Sequence, residues 1–87
     1  MQTLILNPKT RRAKSKVFEA ASVVNLDWDQ RTWLVLQTRM ALPMTAKAGP
    51  WHLVEPLVPD GAPERLSRWV HTADDPDFEV ELTACND

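Results

Sequence analysis

The period of apolar and polar positions changes along the chain, and each change marks an element. Gln2-Thr3-Leu4-Ile5-Leu6 is a short apolar run read as a strand. Asn7-Pro8 ends it, because proline donates no ladder hydrogen bond and Asn-Pro favours a turn. From Arg11 to Val24 two periods compete. Ala13, Val17, Ala20 or Ala21, and Val24 fit a helical stripe. Lys and Arg crowd what would be its first turn, where the helix macrodipole disfavours cations. Val17-Phe18 and Val23-Val24 also suit a strand, so the balance predicts an extended segment from about Lys16 to Leu26. Asp27-Trp28-Asp29-Gln30 reads as a turn, with a capping box at Asp27 as the rival reading. The apolar and β-branched run Thr32–Thr38 decides for a turn followed by a central strand, closed by Pro43 at the latest.

Residues 43–63 form a proline-rich connector holding Pro43, Pro50, Pro56, Pro59, Pro63, Gly49 and Gly61. It has room for one short strand at most, Trp51-His52-Leu53-Val54. Ala62–Val70 carries a helix start at Pro63-Glu64, and Leu66, Trp69 and Val70 fall on one face, which predicts two helical turns. Asp74-Asp75-Pro76-Asp77 breaks that helix. Phe78-Glu79-Val80-Glu81-Leu82 alternates strictly and reads as a strand with one acidic face. Residues 84–87 read as a frayed tail. Assembled, these elements predict one small α+β domain over 1–87: four to five antiparallel strands, one short helix and the connector. A small open β-barrel is the alternative. The expected core is Leu4, Leu6, Val17, Val23, Trp33, Val35, Leu66, Trp69, Phe78, Val80 and Leu82.

Composition leaves this picture in place: 87 residues, 44% hydrophobic and 25% charged, suit one globular domain. No apolar run approaches the roughly 20 residues of a membrane helix. The N-terminus lacks the order of a signal peptide, and the single cysteine, Cys85, excludes an internal disulfide, so a cytoplasmic protein is expected.

Charge changes the picture more. The net charge is −2, but residues 1–18 hold Lys9, Arg11, Arg12, Lys14 and Lys16 with no acid. Residues 51–87 hold nine acids against Arg65 and Arg68. The basic segment suits phosphate contacts. Against a committed nucleic-acid binder stand the acidic balance, with pI near 5.6, and the lack of any recognition motif. The acids Asp74, Asp75, Asp77, Glu79 and Glu81 lack the spacing and glycine of a calcium loop. Glu79 and Glu81 share a strand face about 6.5–7 Å apart, a row of charge resembling a phosphate backbone. Trp28, between Asp27 and Asp29, and Trp51, after Gly49-Pro50, are expected to be partly exposed, where tryptophan serves as a binding anchor.

Catalytic chemistry finds no support. His52, His71 and Cys85 are too scattered for a zinc site. Neither histidine has an acid–base neighbour, and the two glycines are too far apart for a phosphate loop. No cofactor or metal is expected. The sequence therefore predicts a non-catalytic protein-binding module. Its size and acidity suit a small inhibitor or modulator of a larger enzyme or nucleic-acid machine, of the kind phages and plasmids encode, anti-CRISPR proteins among them. The partner-binding candidates are Trp28, Asp27, Asp29, Trp51, Glu79, Glu81, Asp74, Asp75 and Asp77. The alternatives are a nucleic-acid-binding regulator using Lys9, Arg11, Arg12, Lys14 and Lys16, or a structural subunit. The charge asymmetry also suits a homodimer.

Overall fold

Alternation along Thr3–Pro8 sends Leu4 and Leu6 to one side and Thr3 and Ile5 to the other, and the remaining strands repeat this sorting. A computed structural model describes residues 1–24 and 27–83. The chain runs β1 (Thr3–Pro8), α1 (Arg11–Val23), β2 (Thr32–Arg39) and β3 (Trp51–Pro56). A single 3₁₀ turn (Glu64–Leu66), β4 (Arg68–His71) and β5 (Phe78–Leu82) follow. The strands form one antiparallel sheet in the order β4-β3-β2-β1-β5. It curls into a half-barrel. Arg68 on one edge strand lies 3.6 Å from Asp77, beside the other edge strand, and 4.6 Å from the Phe78 ring centre. The architecture is the expected small α+β domain, built as an open, curled sheet.

The inner face of the sheet carries Leu4, Leu6, Trp33, Val54, Val70 and Phe78, all buried. α1 lies across it and contributes Ala13, Val17 and Ala20. Two of those three are alanines, which let the helix backbone approach the sheet closely. Burying a side chain the size of Phe78 or Leu4 contributes about 1.5–3 kcal/mol, so this one layer carries most of the stability.

Three expectations are corrected. The segment predicted as extended from Lys16 is helix through Val23, and its predicted end at Leu26 lies outside the described residues. The Thr10 side chain caps the helix by accepting from the Ala13 N–H at 3.0 Å, which offsets the cations in the first turn. The helix predicted over 62–70 is one 3₁₀ turn followed by β4. There Val70 points inward and Trp69 outward, so the apparent helical face was two residues of a strand. In the core, Val23 and Leu82 are exposed, at 41% and 54%, and Trp69 is only half-buried. Trp28, Ala13, Ala20, Leu42, Val54 and Val70 are the buried hydrophobic residues the sequence reading missed. The predicted tail, with Cys85, lies outside the described residues.

The connector is ordered by polar contacts rather than by a core of its own. The His71 ring donates from Nε2 to the Ala48 carbonyl at 2.7 Å, and the Thr72 hydroxyl donates to the Pro50 carbonyl at 3.1 Å. Lys47 reaches Asp74 at 2.6 Å, and the Trp51 indole donates to the Lys47 carbonyl at 3.0 Å. Gly49 is wedged where the loop meets β2: a Cβ there would lie 2.6 Å from the Arg39 carbonyl oxygen and 2.7 Å from the Trp51 nitrogen. Both neighbours are backbone and cannot swing away. Gly49→Ala is expected to cost about 1–3 kcal/mol. An unchanged urea midpoint for that variant contradicts the packing described here.

His52 lies between β2 and β4 with its Nδ1 2.8 Å from the Thr38 hydroxyl, and burial pushes its imidazole below the ordinary value of 6.5. The unfolded chain therefore takes up a proton before the folded one does. Stability is complete above the unfolded value and declines as pH falls below it, by at most about 1.4 kcal/mol per pH unit. Urea unfolding at about pH 8 and about pH 5 reads this decline, and His52→Gln is expected to flatten it. Equal slopes in both proteins overturn the assignment to His52.

Candidate functional site: an acidic groove on the open face of the sheet

Among the described residues no helix or second sheet lies on the outer face of the sheet, and the 47–50 loop packs there against Trp51 and His71. Its side chains follow from the strand register: Ile5 on β1, Leu34 on β2, Leu53 on β3 and Trp69 on β4 share this face. All four are half-buried, and they run as an apolar diagonal across four strands. Glu79 and Glu81 on β5 flank it, with Glu81 opposite Ile5. Both are exposed, as the alternation predicted. Glu55 stands opposite Leu34.

Beyond Leu34 the face deepens into a groove of about 670 Å³. Met1, Leu34, Leu57 and Val58 supply apolar walls, while Asp27, Asp29 and Glu55 supply three carboxylates. The turn after α1 fixes Asp29, whose carboxylate accepts from the Arg31 N–H at 3.0 Å and the Thr32 hydroxyl at 2.8 Å. Those two bonds, led by the backbone one, hold Asp29 below the ordinary carboxylate range, so it is anionic at neutral pH. Its ion pair with Arg31 is long, at 3.8 Å, and lies in the open. Glu55, Glu79 and Glu81 enter no ion pair among the described residues.

The other candidates are placed as follows. Trp28, expected to be partly exposed, is 5% exposed. It folds under the turn, edge-on to Trp33 at 5.4 Å, and its indole donates to the Thr32 carbonyl. Trp51 is half-buried on the outer face against the His71 ring, 4.8 Å away. Asp74 is paired with Lys47, whose hydrogen bond and charge hold its carboxyl below the ordinary range. Asp77 is paired with Arg68. Asp75 is 4% exposed and accepts from the backbone of His71, Asp77 and Phe78. The acidic run 74–77 is thus largely used inside the fold.

Lys9, Arg11, Arg12, Lys14 and Lys16 are all exposed at the start of α1, on the opposite side of the sheet from the groove. Glu55 and the apolar diagonal are what the sequence reading missed. On β3 both faces carry apolar residues, so alternation alone did not say which of Leu53 and Val54 faces out.

Both histidines are engaged within the fold: His52 with Thr38, and His71 with Ala48 at Nε2 while Nδ1 accepts from the Ala73 and Asp74 N–H groups. No group of three His, Cys, Asp or Glu that could hold a metal ion occurs among the described residues. No helix among them is long and apolar enough to cross a membrane.

By its fold this is a two-layer α+β domain whose other sheet face carries no helix or sheet among the described residues. No family model, curated protein or solved structure matches the chain.

Proposed function

We propose that the protein is a non-catalytic protein-binding module that docks a basic segment of a partner on the open face of its sheet. The observation that carries this reading is the continuity of the apolar diagonal with the groove carboxylates Asp27, Asp29 and Glu55. An apolar centre with a charged rim is the anatomy of a protein interface. The sign of the rim selects a partner surface rich in Lys and Arg. Surfaces of that kind handle nucleic acid, so the protein acts as an inhibitor or modulator of a nucleic-acid machine by covering its phosphate-binding surface. The engagement of both histidines within the fold supports a non-catalytic role.

The test is capture of partners from the source lysate with tagged wild-type protein and with Glu55→Lys, each with and without nuclease. Recovery of one protein by the wild type in both arms, and its loss with Glu55→Lys, supports the reading. Recovery that vanishes with nuclease, or that Glu55→Lys leaves intact, overturns it.

A further inference from the structure

The first two turns of α1 run against the helix's own electrostatics. Arg11, Arg12, Lys14 and Lys16 follow Lys9, and no acid stands in the first turn. Cations there oppose the macrodipole, and Arg12 and Lys16, one turn apart, repel. Arg11, Arg12, Lys14 and Lys16 enter no ion pair among the described residues. A local rule broken without a partner inside the fold marks a surface kept for something outside it.

Phe18 supplies the second half of the observation. It is 77% exposed, at a position where the stripe Ala13, Val17 and Ala20 already covers the sheet. Arg11, Lys14 and Phe18 are spaced three and four apart and share one helix face. Arg12 and Lys16 lie on the other flank of the helix, and Lys16 lines a cleft with Glu19 and with Arg65 from the 3₁₀ turn, so the cations wrap round the exposed side of α1.

We propose that the exposed side of α1 binds single-stranded nucleic acid, with its cations contacting phosphates from both flanks and Phe18 as the platform on which one base stacks. Cations interleaved with an exposed ring are what an unpaired strand needs, since every base has a face to stack. A duplex hides those faces. The acidity of the chain does not cancel the attraction. Asp74 and Asp77 are paired with Lys47 and Arg68. Asp27, Asp29 and Glu55 lie beyond the sheet, and charges more than about 8 Å apart are largely screened at physiological salt. Glu19 is the one acid on the helix. The inference does not depend on the protein-binding reading, because the two surfaces lie on opposite sides of the sheet.

Fluorescence anisotropy with a labelled oligo-dT of about 15 nucleotides, and with a duplex of the same length, tests the proposal. Binding of the single strand is expected to weaken with salt, with a log–log slope of about −2 to −3 for three or four cations engaged. The combined variant Arg11→Gln, Arg12→Gln, Lys14→Gln and Lys16→Gln is expected to bind at least about tenfold more weakly. Its thermal midpoint is expected to hold or rise, which separates lost binding from lost folding. Phe18→Ala is expected to weaken single-strand binding at least about fivefold. Undetectable binding at low salt, an unchanged affinity in the combined variant, or a preference for the duplex that Phe18→Ala does not alter, each overturns the proposal.

Discussion

Asp75→Ala is expected to destabilise the protein by about 3 kcal/mol or more, the largest effect of any single surface-remote polar substitution here. The carboxylate accepts from the His71 N–H at 3.1 Å through one oxygen, and from the Asp77 and Phe78 N–H groups at 3.0 and 3.1 Å through the other. Alanine leaves these donors facing a cavity, and each unsatisfied buried donor costs about 1–3 kcal/mol. The damage spreads because the 71–78 loop joins β4 to β5 and holds the connector through His71 and Thr72. In a domain of this size such a loss lowers the melting midpoint by roughly 12–24 °C. Asp75→Asn keeps one accepting oxygen and is expected to fall between wild type and alanine. A midpoint for Asp75→Ala within a few degrees of wild type contradicts the role assigned to this carboxylate.

The second large effect is on binding. Glu55→Lys is expected to weaken the complex with the captured partner by about 2–5 kcal/mol, because it sets a cation against a basic surface at a desolvated position. Leu53→Ala truncates the apolar diagonal and is expected to cost about 2 kcal/mol if Leu53 is an anchor of the interface. Both side chains are half-buried on the uncovered face, so neither change opens a cavity in the inner layer. Calorimetric titration reads the affinities, and the melting midpoints check that the fold is kept. Full affinity in both variants removes the open face from the interaction. The two outer-edge acids act more weakly: reversal at Glu79 and Glu81, exposed on β5, is expected to cost about 1 kcal/mol and mainly to slow association.

The strands were legible where alternation left one face apolar, as in β5, or where aromatic and β-branched residues crowd a run, as in β2. Phe78–Leu82 alternates cleanly and is β5, and Thr32–Thr38 carries the aromatic and β-branched residues of a central strand and is β2 within a residue. Legibility failed where two physical signals opposed each other. For α1 the dipole argument pointed away from a helix. The Thr10 cap and the burial of Ala13, Val17 and Ala20 outweighed it, as tertiary packing commonly outweighs terminal charge. At Trp28 the flanking acids implied exposure, and the turn was predicted correctly. The turn itself swings the indole inward, onto Trp33, which a one-dimensional reading does not carry. The acidic run 74–77 reads as a surface in the sequence, yet Asp75 points inward as a loop cap, a role that depends on backbone groups from both sides of the loop.

The site was half legible. Asp27, Asp29, Glu79 and Glu81 lie on the open face or its groove as candidate contacts, while Glu55 joins them only through its register with Leu34. Charge segregation along the chain became charge segregation in space, with cations on α1 and carboxylates across the sheet.

Cross-saturation mapping of the isotope-labelled protein in complex with its captured partner places the interface on the open face or on α1. Saturation is expected to reach the amides of Ile5, Leu34, Leu53 and Glu55 and to leave Arg11–Val23 unaffected. Saturation confined to α1, with the open face silent, would contradict docking on the sheet.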